Sequence, residues 1–397
     1  MMIKFKILIG MMTVLLVCTS FHYLNKNRLI QENFDIAQTQ LSNMLNLIGD
    51  SAKNPRTINT DGSIALVPSN DWTSGFFPGC LWLMYQYTKD EKWKQAAQKF
   101  TQNIEQEKYN GRTHDMGFKM YCSYGNGYFL TYDEHYKEVL LQSARTLITR
   151  FNPKVGCIRS WDHHQDVWQF PVIIDNMMNL ELLFWATKAS DDSTFFKIAV
   201  THANTTLKNH FREDYSTWHV INYDTITGLV LDRHTHQGYN HESCWSRGQA
   251  WALYGFTLCY RETRDQRYLG QAQKIADFIL NHKNLPRDYI PYWDFDAPGI
   301  PDEERDASAG AIICSALYEL GTLVKTDGTK YKTAADRMFT SLSSPKYRAN
   351  KGDNSNFIIK HCVGFKPGNI EIDVPLIFAD YYFLEANLQK LKNENLR

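Results

Sequence analysis

Trp93, Ala96, Ala97, Phe100 and Ile104 all fall on one side of a helix that turns about every 3.6 residues, with Lys and Gln side chains on the other. Val139, Leu140, Ala144, Leu147 and Ile148 repeat the pattern, as do Leu269, Ala272, Ile275, Ala276, Ile279 and Leu280. Each stripe is a face that must be buried against another element. Residues 173–186 and 250–259 are apolar on most sides, which suits inner helices sheathed by the amphipathic ones. Turn residues punctuate the chain at Pro78-Gly79, Gly125-Asn126-Gly127, Asn152-Pro153, Pro298-Gly299 and Pro367-Gly368. No run alternates apolar and polar residues as a sheet would, and no composition break marks a linker. The pattern predicts an all-α fold, with one domain over residues 30–397. Nested inner and outer helices fit a toroid of helical hairpins with a site at one mouth.

The start of the chain reads differently. Lys4 and Lys6 precede an apolar run over residues 7–18, short of the ~20 residues that an ordinary membrane span needs. This predicts an export signal over residues 1–22 and a periplasmic protein. Cys18 opens a second reading, a lipid anchor, although Val17 before it is larger than the residue such processing favours. Membrane association is expected only through that anchor.

Beyond Cys18 the cysteines are scattered and contain no C-x-x-C. They predict neither a disulfide framework nor a zinc site, but small buried apolar side chains. Lys+Arg and Asp+Glu both number 43, and this balance argues against nucleic-acid binding. An anionic ligand would therefore be read by a few local cations. Aromatic residues form 14% of the chain, enough to supply both a core and rings for stacking on sugars.

Residues able to do chemistry gather outside the helical stripes. Asp115 lies in Thr113-His114-Asp115-Met116-Gly117-Phe118. Asp175 precedes Met177, Met178, Leu180, Leu182, Leu183, Phe184 and Trp185. Taken alone, each Asp reads as a helix N-cap. A carboxyl group in such apolar surroundings resists ionisation, and a second carboxylate nearby would raise its pKa further, which suits a general acid. The densest stretch runs from His219 to Trp251. Within it Arg247, between Trp245 and Trp251, can fork onto a carboxylate or simply pack on a ring. His234-x-His236 and His163-His164 lack the helical spacing and partner acid of a zinc hydrolase, so no metal is expected. G-x-S-x-G, P-loop and dinucleotide glycine patterns are absent.

Several blocks, in order, resemble the unsaturated glucuronyl hydrolases of glycoside hydrolase family 88. They are Asp71-Trp72-Thr73-Ser74-Gly75-Phe76-Phe77-Pro78-Gly79, the Thr113–Phe118 block, and Ile173-Ile174-Asp175-Asn176-Met177-Met178-Asn179-Leu180. Thr235-His236-Gln237-Gly238-Tyr239, residues 243–251 and Asp306-Ala307-Ser308-Ala309 complete the set. The resemblance implies an (α/α)6 toroid, no cofactor, Asp175 as general acid and Asp115 as a second essential carboxylate. It implies that His219, Gln237 and Arg247 hold a uronate, with ring contacts from Trp72, Trp161, Trp245 and Trp251. The implied substrate is a lyase-generated glycosaminoglycan oligosaccharide carrying a 4,5-unsaturated uronic acid at its non-reducing end. Hydration of its C4=C5 vinyl ether requires one acid and one positioned water.

Two rivals share the scaffold: an unsaturated rhamnogalacturonyl hydrolase acting on pectin, and a sugar-binding lipoprotein without catalysis. The Arg247–Trp251 block favours the glucuronyl family over the first, and the two Asp residues argue against the second. Some relatives read sulfate with a C-terminal Ser-x-x-Ser-x-Lys stretch. Here that region reads Asn354-Ser355-Asn356-Phe357-Ile358-Ile359-Lys360, which does not match; Ser355, Lys360 and the nearby Lys366 are candidates to meet a sulfate, but are read first as solvated loop residues.

Overall fold

A computed structural model describes residues 28–395, so the predicted export signal and Cys18 lie outside the described residues. The chain winds as helical hairpins. Helix α1 spans residues 28–48. Then α2 (Phe76–Thr88) pairs with α3 (Glu91–Gln102). A π-helical segment (Gly117–Gly125) runs into α4 (Asn126–Thr131) and packs on α5 (Glu134–Ile148). Next come α6 (Leu180–Ser190) with α7 (Ser193–Asn209), α8 (Ser246–Thr263) with α9 (Gln266–Asn281), and α10 (Ala307–Leu323) with α11 (Gly328–Leu342). Finally α12 (Ile377–Asn395) takes α1 as its outer partner, where Asn33 Nδ2 donates to Asn387 Oδ1 at 2.9 Å.

The inner helices pack neighbour to neighbour, and α12 packs back onto α2, closing the ring. This is the (α/α)6 toroid. The three amphipathic stripes become α3, α5 and α9 on the outside, while α8 and α10 are buried along most of their length. All seven cysteines within the described residues are buried free thiols.

The two mouths of the ring differ, and the turns explain why. Inner helices α2, α4, α6 and α8 each end on a left-handed residue: Lys89, Tyr132, Asp191 and Arg264. The next residue is always Asp, whose carboxylate accepts from a backbone N–H of the first turn of the outer helix (Asp90, Asp133, Asp192 and Asp265). These two-residue turns leave one mouth bare. The returns from outer to inner helices are long, and they gather at the other mouth.

Short antiparallel sheets fold within those long connections, which the sequence pattern did not announce. They are β1 (Asn54–Ile58) with β2 (Ile64–Val67), β3 (Phe151–Asn152) with β4 (Cys157–Ile158), and β8 (Cys362–Phe365) with β9 (Ile370–Val374). A three-stranded sheet joins β5 (Pro171–Ile173), β6 (Val220–Tyr223) and β7 (Val230–His234). Strands of two to five residues, several buried on both faces, show no alternation to read.

Two expected turns are also helix. Pro78 sits in the first turn of α2, where its missing N–H has no helical partner to lose. Gly79 and Gly127 are contact points instead, since a Cβ there would fall 2.7 Å from the Tyr381 ring and 2.6 Å from the Tyr136 ring. Conversely, the apolar run over residues 173–186 does not begin as α-helix. It opens on β5 and a 3₁₀ segment (Ile174–Asn179) before α6.

Candidate active site

Strand register builds the floor of the site. Ile173 pairs with Val220, and the Ile174 N–H donates to the His219 carbonyl at 3.0 Å. Asp175 and His219 therefore emerge side by side, with Asp175 Oδ2 3.7 Å from His219 Nε2. Asp175 is not a helix N-cap; Ile173 holds that place for the 3₁₀ segment. Burial pushes its carboxyl up to about 7, against the opposing pull of the Arg247 charge and with a smaller upward push from Asp115. The Trp251 indole N–H favours the charged form without completing a hydrogen bond. Burial, then the His236 and Arg247 charges, hold His219 well below the usual histidine range.

The His219 tautomer follows from its neighbours. Nδ1 accepts from the backbone N–H groups of His236 at 3.1 Å and Gln237 at 3.2 Å. The neutral ring therefore carries its proton on Nε2, the atom facing Asp175.

Asp115 stands on the adjoining wall. Thr113 Oγ1 donates to its Oδ2 at 2.6 Å, and His114 Nε2 lies 3.2 Å from its Oδ1. The chain then enters the π-helical segment, whose first N–H groups, from Gly117 and Phe118, donate to Asn179 Oδ1 at 2.8 and 3.3 Å. A Cβ on Gly117 would fall 2.7 Å from Asn179 Cα, so only glycine lets the two acid-bearing segments meet.

Arg247 begins α8 and is 1% exposed. Its guanidinium lies over the Trp245 ring at 4.6 Å and pairs with Asp306 Oδ2 at 2.8 Å. It also donates to the carbonyls of Val363 and Gly364 on β8. Asp306 caps α10 with its other oxygen, accepting from Ser308 N at 3.0 Å, so one carboxylate serves a helix start and an arginine. The ring packing read from the sequence is present, and Arg247 also lines the cavity.

That cavity encloses about 550 Å³, enough for a small saccharide. Asp115, Asp175, Gln237, Arg247, Trp72 and Trp161 line it, joined by Phe118, Phe365 and Phe378. His219, Trp245 and Trp251 do not line it. They stand behind the lining: Trp245 under Arg247, Trp251 against Phe118 with ring centroids at 5.0 Å, and His219 beside Asp175. Gln237 Nε2 donates to the Gly364 carbonyl at 3.1 Å. Trp161 stacks on His163 at 4.9 Å with 14° between planes.

Several residues of the site carried no sign in the sequence. Asp306 and Asn179 lay in family-like blocks without a role. Arg56, on β1, reaches the cavity from more than a hundred residues before Arg247, held by Glu371 at 2.6 Å and Asp71 at 2.9 Å. Arg112, directly before the Thr113–Phe118 block, also lines the cavity. Among the described residues, no group of three His, Cys, Asp or Glu side chains is placed to hold a metal ion.

The chain is similar to known proteins along most of its length. The Glycosyl Hydrolase Family 88 model matches residues 51–383. An unsaturated glucuronyl hydrolase of Formosa agariphila is 54% identical over 325 residues, covering 82% of this chain and 81% of the relative. An unsaturated chondroitin disaccharide hydrolase of Streptococcus pneumoniae is 32% identical, covering 86% and 87%. Among solved structures, an unsaturated glucuronyl hydrolase specific for heparin superposes with a TM-score of 0.91 at 48% identity, covering 93% of this chain and 98% of that one.

Proposed function

The chain belongs to Glycosyl Hydrolase Family 88, and we propose that it hydrolyses unsaturated disaccharides derived from glycosaminoglycans by adding water across the C4=C5 bond of the terminal uronate. The observation that carries this reading is a buried carboxyl group, Asp175, at the floor of a sugar-sized cavity; burial raises its pKa to about 7, so it can hold a proton near neutral pH. The C4=C5 bond is a vinyl ether, electron-rich at C4. Asp175 protonates C4, and positive charge develops at C5 and the ring oxygen. Water attacks C5 while the Asp175 carboxylate takes up its proton. The resulting hemiketal opens and releases the second sugar. General acid–base catalysis of this kind contributes ~10²–10⁴-fold.

The other groups take roles that follow from their contacts. Arg247 meets the uronate carboxylate, held in place by Asp306 and the two β8 carbonyls. Gln237 joins it at the wall, and the Nε2–H of neutral His219 supports Asp175 from behind. Asp115 keeps the proton on Asp175 by its negative charge and accepts from the ring hydroxyls. Trp72 and Trp161 offer faces to the sugar, while Trp245 and Trp251 brace Arg247 and Asp175.

The test is loss of the ultraviolet absorbance of the conjugated double bond. Lyase-generated chondroitin and heparin disaccharides should lose it with the wild-type protein, and an unsaturated pectin disaccharide should not. Retained absorbance in both glycosaminoglycan arms sinks the proposal. The charged, apolar start of the chain supports export to the periplasm, checked by whether the protein appears in an osmotic-shock fraction.

A further inference from the structure

Depth sorts the cavity lining into two levels. Asp175 and Arg247 are buried, whereas Arg112 and His163 are exposed at the rim. If the terminal uronate sits at the floor, as the proposed hydration requires, the sugar that leaves must sit at the rim.

Three arginines line the cavity, and their partners differ. Arg247 is taken up by Asp306 and two carbonyls. Arg56 grips Glu371 through two N–H groups and Asp71 through a third. Arg112 has no hydrogen bond or salt bridge from its guanidinium among the described residues. Asp162, an acid that feels its charge, is already held by Arg150 through bonds of 2.9 and 3.0 Å and approached by Arg159 at 3.4 Å. The backbone beneath Arg112 is nevertheless fixed, because Arg150 also donates to the Gly111 carbonyl at 2.7 Å. A tethered base with an uncommitted guanidinium is suited to an incoming anion.

The C-terminal candidates for that task are occupied elsewhere. Lys366 is paired with Glu303 and Glu304, Lys360 donates to the Pro345 carbonyl, and Ser355 donates to the Gly62 carbonyl. None of the three lines the cavity.

We propose that Arg112 is a specificity-determining residue that recognises a sulfate group on the sugar next to the unsaturated uronate, in the cavity that the stacked Trp161–His163 rings also line. This rests on the hydration activity proposed above. The fork of the guanidinium matches the oxygens of a sulfate, and its exposure makes the attraction sensitive to salt.

The experiment compares wild type, Arg112→Gln and Arg112→Lys on two unsaturated disaccharides that differ only in sulfate on the second sugar. The readout is the ratio of kcat/KM for the sulfated over the unsulfated compound. Arg112→Gln should lower that ratio about tenfold, mainly through KM, with the difference shrinking at high salt. Arg112→Lys should recover part of it, since the charge stays but the fork is lost. An unchanged ratio in Arg112→Gln, with the wild type active, overturns the assignment alone. Absence of wild-type turnover on both compounds overturns the hydration reading beneath it.

Discussion

Asp175 Oδ2 lies 3.7 Å from His219 Nε2, the one ring nitrogen of His219 that bears a proton. The acid thus faces a neutral donor rather than an imidazolium. A charged histidine there would draw the Asp175 pKa down and strip the proton that hydration needs. Burial keeps the ring neutral, and two backbone N–H groups from the β7–α8 connection, by occupying Nδ1, turn its one proton toward the acid.

Activity should follow Asp175 ionisation. With its pKa raised to about 7, kcat/KM should hold on the acid side and fall tenfold per pH unit well above 7. Asp175→Asn should lose at least ~10²-fold while folding normally. A pH–rate profile of each protein on an unsaturated disaccharide checks both.

Removing the like charge should move that profile. Asp115 pushes the Asp175 pKa up, so Asp115→Asn should shift the descending limb toward acid while also lowering kcat. A limb that stays in place in Asp115→Asn, measured on residual activity, contradicts the electrostatic role.

The same carboxyl should be visible in stability. Its pKa is about 7 folded and near 3.8 unfolded, so the folded state binds the extra proton between those values. Wild-type stability should therefore fall relative to Asp175→Asn as pH rises from 4 to 7, by about 1.4 kcal/mol per pH unit at most, then level off. Urea titrations of both proteins at pH 5 and pH 8 give the difference.

Asp306→Asn should separate two duties of one side chain. Asparagine still caps α10, but Arg247 loses its paired carboxylate while buried. Stranding that charge should cost about 3–5 kcal/mol and show as a lower Tm and a raised KM.

Gly117→Ala tests the meeting of the two acid segments. Its Cβ would press on Asn179 Cα and on the Met178 carbonyl at 3.1 Å, both backbone atoms. The cost should be about 1–3 kcal/mol by thermal denaturation.

The helical ring was legible because outer helices such as α3 and α9 expose one face and hide the other, which leaves a stripe. The tight mouth was legible in principle too, from a residue followed by Asp at four hairpin tips, yet that signal looks like any N-cap. The open mouth was not legible. Strands such as β5 and β6 are too short to alternate, and Gly79 and Gly127 serve helix packing rather than turns. Within the site, Asp175 stood out because a lone acid in an apolar run is costly to bury and gains nothing from its neighbours in sequence. Arg112 and Arg56 did not, since an arginine in a loop reads the same whether its partner is water or a ligand. His219, Trp245 and Trp251 were picked out by resemblance, and geometry sets them behind the cavity wall rather than on it.

Phe378, on α12, lies 5.4 Å beneath the Arg247 guanidinium and forms part of the cavity wall, though α12 is the last helix of the ring. Without α12 the cavity wall therefore lacks a ring, and the Arg247 guanidinium loses one of the two it packs on. Catalytic competence arrives only when α12 docks on α2 and closes the ring.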